Sequence, residues 1–275
     1  MAKTVKPSIK GKRVLVTGGA RGMGLLWAKL FARDGAQVAL WDLSSKVMAA
    51  ADEIRELGRE SFAQIVDVTN RVDVETAAKE LEEKFGPIDI LVNNAGIVVG
   101  GPFMEVDQDS MARVLDVNLK SLIFTTRAFL SGMIERGHGH VMNVGSASGF
   151  IGVPYMATYT ASKWGIIGFT DSLRLELQHL GHDNIGISVF CPSYVDTGLF
   201  AGAKAPIFTP LMTPEQAVER GYKAFRKGVY VIKEPFMVKV TPALRTLLPQ
   251  SVFDSIANVL GATSSMSDWK GRPKD

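Results

Sequence analysis

The chain has 275 residues, of which 46% are hydrophobic and 21% charged, enough for one large α/β domain or two small ones. Its net charge is only +3 and its basic residues are dispersed, so no nucleic-acid partner is expected. The single cysteine, Cys191, lies in an apolar run and excludes a disulfide within the monomer. No apolar run has the length of a transmembrane segment and the first ten residues carry no signal-peptide core, so we expect a soluble cytoplasmic protein.

The first predicted unit is a strand, a glycine-rich turn and a helix. The strand covers residues 13–17, the turn contains Gly18, Gly22 and Gly24, and the amphipathic helix begins near Leu25. Residues without Cβ let the backbone approach a pyrophosphate, and a helix N-terminus attracts anions. The unit therefore predicts a dinucleotide-binding turn, although its G-x-x-x-G-x-G spacing differs from the commoner fingerprint and glycines also serve tight packing.

The second predicted strand, residues 37–41, ends at Asp42. A carboxylate at this place can accept hydrogen bonds from both ribose hydroxyls of an adenosine and would repel a 2′-phosphate. Arg21, in the glycine turn, could pair with such a phosphate or simply be exposed. The position of the carboxylate favours NAD, with NADP as the alternative.

Helices and strands alternate through the first half of the chain. Helices are predicted at 44–57, with Ser44 as N-cap and Gly58 as terminator, and at 70–85, before Gly86 and Pro87. Further strands are predicted at 61–66 and 88–92. This alternation is typical of a doubly wound, Rossmann-type parallel sheet in a three-layer α/β/α domain, and no linker divides residues 1–275.

Acid–base chemistry is predicted for a stretch in the middle of the chain. Among the five tyrosines only Tyr159 has a lysine, Lys163, four residues later, on the same face of a helix. A nearby ammonium favours the phenolate, so we expect Lys163 to lower the pKa of Tyr159. Ser146, at the end of an apolar strand, could hold a substrate oxygen. Alone, the Tyr–Lys spacing is weak evidence, because such pairs on helices are usually solvated.

Together these motifs resemble the short-chain dehydrogenase/reductase superfamily over about residues 11–200. They occur in the order of that family: the glycine turn after Thr17, then Asp67-Val68, Asn93-Asn94-Ala95-Gly96, Asn118, Ser146 and Tyr159-x-x-x-Lys163. The resemblance implies an NAD(P)-dependent oxidoreductase acting on a secondary alcohol or ketone.

The resemblance also implies a role for each motif residue. Asn118, Ser146, Tyr159 and Lys163 would be catalytic, Asn118 through a backbone carbonyl that holds a water next to Lys163. The implied cofactor contacts are Gly18, Arg21, Gly22, Met23, Gly24, Asp42, Asp67, Val68, Asn94, Ala95, Gly96, Tyr159, Lys163, Pro192, Val195 and Thr197. Among these, Asp67 and Val68 would flank the adenine and Thr197 would meet the carboxamide. The family's Pro-Gly after the sixth strand is replaced here by Pro192-Ser193.

The last third of the chain is predicted to form the substrate side of the site. Residues 191–213 are interpreted as a substrate loop with a short helix, followed by a helix at 214–227 with Thr213 as N-cap and a strand at 228–232. The extension 233–275 resembles that of the retinol and hydroxysteroid dehydrogenase branch. It could cover the active site for a lipophilic substrate, form a dimer contact, or make a peripheral membrane contact.

Other functions remain open at this point. A nucleotide-sugar epimerase or dehydratase is disfavoured by the chain length and glycine spacing, and a non-catalytic dinucleotide sensor by the presence of both Tyr159 and Lys163. The four histidines form no set typical of a metal site. Apolar outer faces on the helices around Asn118 and Tyr159 predict a homodimer or homotetramer.

Overall fold

The computed structural model describes residues 5–271, and its centre is a seven-stranded, fully parallel sheet. The strands are β1 Arg13–Thr17, β2 Gln37–Asp42, β3 Ser61–Ile65, β4 Ile90–Asn93, β5 Gly139–Val144, β6 Ile185–Pro192 and β7 Val231–Glu234. They lie in the order β3-β2-β1-β4-β5-β6-β7. The doubly wound α/β fold predicted from the alternation of elements is confirmed, as a single domain.

Helices cover both faces of the sheet. They are α1 Gly22–Arg33, α2 Val47–Glu56, α3 Arg71–Phe85, α4 Gln108–Leu115, α5 Ser121–Arg136, α6 Ala157–His179, α7 Pro214–Arg226, α8 Phe236–Leu247 and α9 Gln250–Val259. Side chains of α1, α2 and α7 share one buried core with the sheet, and those of α3, α5 and the end of α6 share the other. The strands are apolar on both faces because each face is covered.

Strand order reverses between β1 and β4, where the chain crosses from one half of the sheet to the other. At such a switch point the loops after neighbouring strands diverge and leave a crevice at the carboxyl edge. The glycine turn follows β1 and the Asn94 segment follows β4, so both lie at this crevice. The topology thus brings together motifs about 75 residues apart.

A chain of buried amides and hydroxyls ties the sheet beneath this crevice to its helices. Asn93 Nδ2 on β4 donates to Asn143 Oδ1 on β5 at 2.9 Å, and Asn143 Nδ2 donates to Thr170 Oγ1 on α6 at 3.0 Å. Thr125 Oγ1 on α5 donates to Asn93 Oδ1 at 2.6 Å. Because these polar atoms are buried and satisfied, the network fixes α6 on the sheet in one register.

Several element boundaries differ from the sequence-based expectation. The second helix begins at Val47 and Ser44 is not its N-cap, because Asp42 Oδ1 accepts from the Ser44 backbone N–H at 2.9 Å and holds this residue in a turn. The fourth strand begins at Ile90 because the Asp89 carboxylate accepts from the Arg13 backbone N–H at 2.9 Å.

Two further differences lie near the substrate side. The last strand starts at Val231, after a turn in which Gly228 has a φ of 75°. Between β6 and α7 the described residues form turns and one bridge, Val195 to Met212, without the short helix that was expected. Thr213 caps α7 as predicted. The last four residues of the predicted extension lie outside the described residues.

Candidate active site

The glycine turn is shaped by close contacts between backbones. A Cβ at Gly24 would overlap the carbonyl oxygen of Gly18 and lie 2.6 Å from Asn94 Nδ2. A Cβ at Gly18 would lie 2.9 Å from the Cα of Ala95. Gly22 instead faces open space, with Thr197 Cγ2 as its nearest neighbour at 4.0 Å. Gly18 and Gly24 therefore allow α1 to pack tightly on the turn, and Gly22 leaves room for a ligand.

A cleft lies at this edge of the sheet. Its lining includes many of the predicted cofactor contacts, namely Gly18, Arg21, Gly22, Met23, Gly24, Asp42, Asp67, Val68, Asn94, Ala95, Gly96 and Thr197. The N-terminus of α1 opens into it at Gly22. A cleft that contains a helix N-terminus and the carboxylates of Asp42 and Asp67 fits a dinucleotide.

The Asp42 carboxylate is fixed by two backbone hydrogen bonds. Its Oδ2 accepts from the Ala20 N–H at 3.0 Å, and its Oδ1 accepts from the Ser44 N–H at 2.9 Å. Each oxygen retains a lone pair for a ligand hydroxyl. Asp67, one strand further, is held in the same manner, because its Oδ1 accepts from the Thr69 N–H at 2.9 Å and the Thr69 hydroxyl at 2.7 Å. Both carboxylates are therefore preorganised along one wall.

Thr17 joins the ends of β1 and β4. Its Oγ1 accepts from the backbone N–H of Asn94 at 3.0 Å and of Ala95 at 3.1 Å, while Asn94 Nδ2 donates to the Thr17 and Gly18 carbonyls at 3.0 and 3.1 Å. Sequence reasoning used Thr17 only as a motif landmark and missed its part in holding the cleft. Its position at the end of a buried strand was the available signal.

Asn118 lies in a π-helical turn, Asp116–Lys120, between α4 and α5. Its amide brackets Ile97, accepting from the backbone N–H at 2.8 Å and donating to the carbonyl at 3.0 Å. Asn118 Nδ2 also donates to Ser162 Oγ at 3.1 Å, and Ser162 Oγ donates to the Tyr159 carbonyl at 2.6 Å. The side chain thus links the segment after β4 to the helix that carries Tyr159. Ser162 is a second residue that sequence reasoning missed.

Ser146, Tyr159 and Lys163 lie together at the carboxyl end of β5. Ser146 follows this strand, and Tyr159 and Lys163 occupy one face of α6, with Lys163 Nζ 5.6 Å from the centroid of the Tyr159 ring. Ser146 is within hydrogen-bond reach of the Tyr159 hydroxyl. Lys163 Nζ donates to the Val144 carbonyl at 3.0 Å. Hydroxyl, phenol and amine are all at least nine-tenths buried.

The electrostatics differ from the expectation that Lys163 would lower the pKa of Tyr159. Burial raises the pKa of Tyr159 above its ordinary value, and the hydrogen bond with Ser146 only partly opposes this. Burial also lowers the pKa of Lys163 to about 8. The expected low pKa of Tyr159 is therefore wrong for this arrangement, because the loss of hydration on burial disfavours the phenolate more strongly than its neighbours favour it.

The segment after β6 closes the cleft from the other side. Pro192 ends the strand, the Ser193 N–H donates to the Glu234 carbonyl at 2.8 Å, and Val195 is buried and bridged to Met212. Thr197 then faces Gly22 across the cleft. Ser193, at the position of the family's glycine, thus bonds to the end of β7 through its backbone.

A second, apolar cavity opens beside Ser146 and Tyr159. Ser146 and Tyr159 line one end, and α8 and α9, which we call the cover helices, supply Met237, Leu244, Phe253 and Ile256. Arg245 anchors α8, because its Nη1 donates to the Phe150 carbonyl at 2.7 Å and its guanidinium stacks on Trp164. Of the three interpretations of the extension, this geometry favours a cover over the active site.

Three further features of the described chain concern metal binding, membrane-spanning helices and the single cysteine. No group of three or more histidine, cysteine, aspartate or glutamate side chains among residues 5–271 could hold a metal ion. Within the same range no helix combines the length and the apolar character that a membrane crossing requires. Cys191 is buried, and burial raises the pKa of its thiol to about 12.

Comparison with known proteins adds independent information. A family model described as short chain dehydrogenase matches residues 12–206. Epidermal retinol dehydrogenase 2 of Mus musculus is 33% identical over 276 residues, covering 98% of this chain and 88% of that protein. Estradiol 17-beta-dehydrogenase 11 of Mus musculus is 32% identical over 256 residues, covering 93% of this chain and 84% of that protein.

Solved structures share the fold. The apo form of LigD from Sphingobium sp. strain SYK-6 superposes with a TM-score of 0.76 at 27% identity, covering 90% of this chain and 98% of that one. A short chain dehydrogenase/reductase from Burkholderia phymatum in complex with NAD gives a TM-score of 0.78 at 24% identity, covering 93% and 97%.

The resemblance predicted from the ordered motifs is therefore confirmed, and neither the epimerase nor the sensor interpretation is favoured. The chain belongs to the short-chain dehydrogenase family and is an NAD(P)-dependent oxidoreductase that acts on CH–OH groups.

Proposed function

We propose that this enzyme transfers a hydride between a nicotinamide dinucleotide, with NAD preferred, and a secondary alcohol or ketone on a bulky lipophilic molecule such as a steroid, a retinoid or an aryl alcohol. The observation that carries the proposal is the apolar cavity that opens at Ser146 and Tyr159 beneath the cover helices. Similarity to proteins named retinol and estradiol dehydrogenases supports the same substrate class.

Ser146 and Tyr159, at this end of the cavity, and the neighbouring Lys163 have different roles in the proposed reaction. A bound nicotinamide supplies the hydride acceptor or donor. Ser146 and Tyr159 hydrogen-bond the reacting oxygen, and Tyr159 gives a proton to that oxygen in reduction or removes one in oxidation. Tyr159 is protonated at neutral pH, as the acid role in ketone reduction requires, but its raised pKa makes it a weaker proton donor than an ordinary phenol. The Lys163 ammonium stabilises the phenolate that remains after the proton has moved.

The preference for NAD rests on Asp42. Its carboxylate is locked at the edge of the cleft by the backbone N–H groups of Ala20 and Ser44, so it cannot turn away from a ligand. Fixed in this way it accepts from ribose hydroxyls and repels a 2′-phosphate. We expect a lower dissociation constant for NADH than for NADPH in parallel calorimetric titrations. Tighter binding of NADPH would contradict the preference.

Turnover with a panel of substrates tests the proposed reaction. Purified enzyme is incubated with NAD or NADP and secondary alcohols that range from propan-2-ol to steroids and aryl carbinols, and reduced nicotinamide is followed by its absorbance. We expect kcat/KM to rise with apolar bulk, since each buried CH₂ contributes about 0.8 kcal/mol. Activity confined to small or charged alcohols would contradict the lipophilic class.

We also propose that the protein is cytoplasmic and forms a homodimer or homotetramer through α5 and α6. Exposed apolar side chains on these helices, Ile123, Trp164 and Leu175, support the assembly. Light scattering coupled to size-exclusion chromatography should give a mass of two or four chains, and a monomer at micromolar concentration would contradict it.

A peripheral membrane contact is the remaining proposal for the extension. It is supported by the exposed apolar side chains Leu247 and Val259 on the cover helices. Sedimentation with phosphatidylcholine vesicles should carry part of the protein down. Its complete retention in the supernatant would contradict this contact.

A further inference from the structure

The last described stretch, residues 262–271, which we call the C-terminal segment, lies against the loop that follows β6. Backbone hydrogen bonds join the two at both ends: Lys204 N–H donates to the Ser265 carbonyl at 2.8 Å, and Lys270 N–H donates to the Ala201 carbonyl at 2.9 Å. Ser265 also makes a side-chain contact with the loop, because the Tyr194 hydroxyl donates to Ser265 Oγ at 2.7 Å.

The loop after β6 and the C-terminal segment are also tightly packed against each other. Gly202 has a φ of 86°, and a Cβ there would overlap the carbonyl oxygen of Asp268. An ion pair between Lys204 and Asp268 at 2.6 Å adds little, because both side chains are exposed. Loop and segment therefore form one packed unit, although about 60 residues of chain separate them.

Trp269 connects this unit to the wall of the dinucleotide cleft. Its indole N–H donates to the Leu199 carbonyl at 3.0 Å, and Leu199 lines the dinucleotide cleft. Its ring also approaches the segment after β4, since a Cβ at Gly100 would lie 3.3 Å from Trp269 Cε3. The indole thus contacts both the segment after β4 and the loop after β6, which lie in the same half of the sheet.

The same segment borders the apolar cavity. Met266 is buried and lines that cavity. Met266 and Trp269 belong to one apolar cluster with Tyr159 and Phe200, and the Tyr159 and Phe200 rings meet edge to face with centroids 6.1 Å apart. Movement of the C-terminal segment would therefore disturb the substrate side and the dinucleotide side together.

We propose that Trp269 is a positioning residue: through its hydrogen bond to Leu199 it makes the C-terminal segment and the substrate loop close as a single unit when a dinucleotide binds. The proposal rests on the proposed function, because it assigns the cleft to that cofactor. It extends the active site to a residue 110 positions after Tyr159 that contacts none of the reacting atoms.

Trp269→Phe provides the first test, because it keeps an apolar ring while removing the indole N–H together with part of the ring. The Leu199 carbonyl then loses its donor, and a lost hydrogen bond of this kind corresponds to a change of about 3- to 10-fold in affinity. Ser267→Ala is the matched control, since the partner of Ser267 Oγ within residues 5–271 is the nearby Ser264 carbonyl. We expect the dissociation constant of NADH, measured by calorimetry, to rise about 3- to 10-fold in the first variant and to stay unchanged in the second.

The split between kinetic constants separates positioning from chemistry. KM for the dinucleotide should rise in Trp269→Phe while kcat at saturation changes less than twofold. Equal NADH affinity of wild type and Trp269→Phe would overturn the proposed role of Trp269 and would leave the proposed function of the enzyme unaffected. A wild type that binds neither NADH nor NADPH would overturn the proposed function and this inference with it.

A second measurement uses the wild-type protein and does not depend on how a variant folds. Hydrogen exchange followed by mass spectrometry is recorded with and without saturating NADH. We expect slower exchange in both 199–204 and 262–271, where the amides of Lys204 and Lys270 report the joint contact. Slowing in 199–204 without any change in 262–271 would overturn the proposal.

Discussion

At the scale of single residues, the site combines groups whose charged forms are disfavoured by burial. Tyr159 and Lys163 are almost fully enclosed, so the pKa of the phenol is raised and that of the ammonium is lowered to about 8. A neutral phenol beside a lysine that is still protonated at pH 7 suits proton donation to a ketone. Oxidation of the alcohol requires Tyr159 to lose its proton first, so oxidation should be favoured at higher pH.

The first prediction concerns the pH dependence of ketone reduction. Below about pH 8 Lys163 is charged and stabilises the phenolate left on Tyr159, and above it the charge is lost. We expect kcat for reduction to be level near pH 7 and to fall toward tenfold per pH unit above about pH 8. As the control for denaturation, enzyme that has been held at the higher pH is returned to pH 7 and its activity is measured there. A level profile to pH 10 would contradict the assigned role of Lys163.

The glycine turn shows a different residue-scale effect, namely packing. Gly24 on α1 has no room for a side chain, because the Gly18 carbonyl and Asn94 Nδ2 occupy the place of a Cβ. We expect Gly24→Ala to lower the free energy of unfolding by about 1–3 kcal/mol through overpacking and to weaken dinucleotide binding. Thermal denaturation with and without NADH measures both effects.

The matched control for that change is Gly168→Ala, also within a helix. A Cβ at Gly168 meets nothing within 4 Å, so the same substitution there should be neutral or stabilising by about 0.5–1 kcal/mol. Equal behaviour of the two variants would show that contact at the turn is not the cause.

At the scale of elements, the cover helices decide which substrates fit. The sequence left three uses for the extension open because α8 and α9 are amphipathic, and amphipathicity alone does not identify the partner surface. The contacts of Arg245 with Phe150 and Trp164 hold α8 over the site. No sequence motif predicts a contact between residues about 95 positions apart. The cover is therefore a product of tertiary structure.

A substitution inside the cavity tests the cover. Ala257 on α9 lines the cavity, so Ala257→Phe should fill part of it and raise KM for steroid-sized alcohols at least tenfold while leaving small secondary alcohols little affected. Val259→Phe is the control, since Val259 lies on the same helix and is 78% exposed. Equal loss for small and large substrates in Ala257→Phe would argue against a substrate cavity at this place.

At the scale of the whole molecule, most of the sheet and the location of the site followed from local patterns. Strands such as 13–17 are short apolar runs, and the order of glycine turn, Asp42, Asn94 and Tyr159 matched a family whose fold is known. What escaped prediction depends on distant contacts or local competition. The start of α2 shifted because Asp42 captured the Ser44 N–H, and the pKa of Tyr159 depends on burial that spacing does not reveal.

The loss of the Tyr159 hydroxyl is the most direct test of the oxidoreductase mechanism. Tyr159→Phe keeps the ring in its apolar cluster and removes the acid–base group, so kcat should fall by about 10²- to 10⁴-fold. The dissociation constant of NADH, titrated on the same preparation, should change less than about threefold, the lower end of the effect of one lost hydrogen bond. A Tyr159→Phe enzyme that turns over a lipophilic secondary alcohol at close to the wild-type rate would contradict the mechanism.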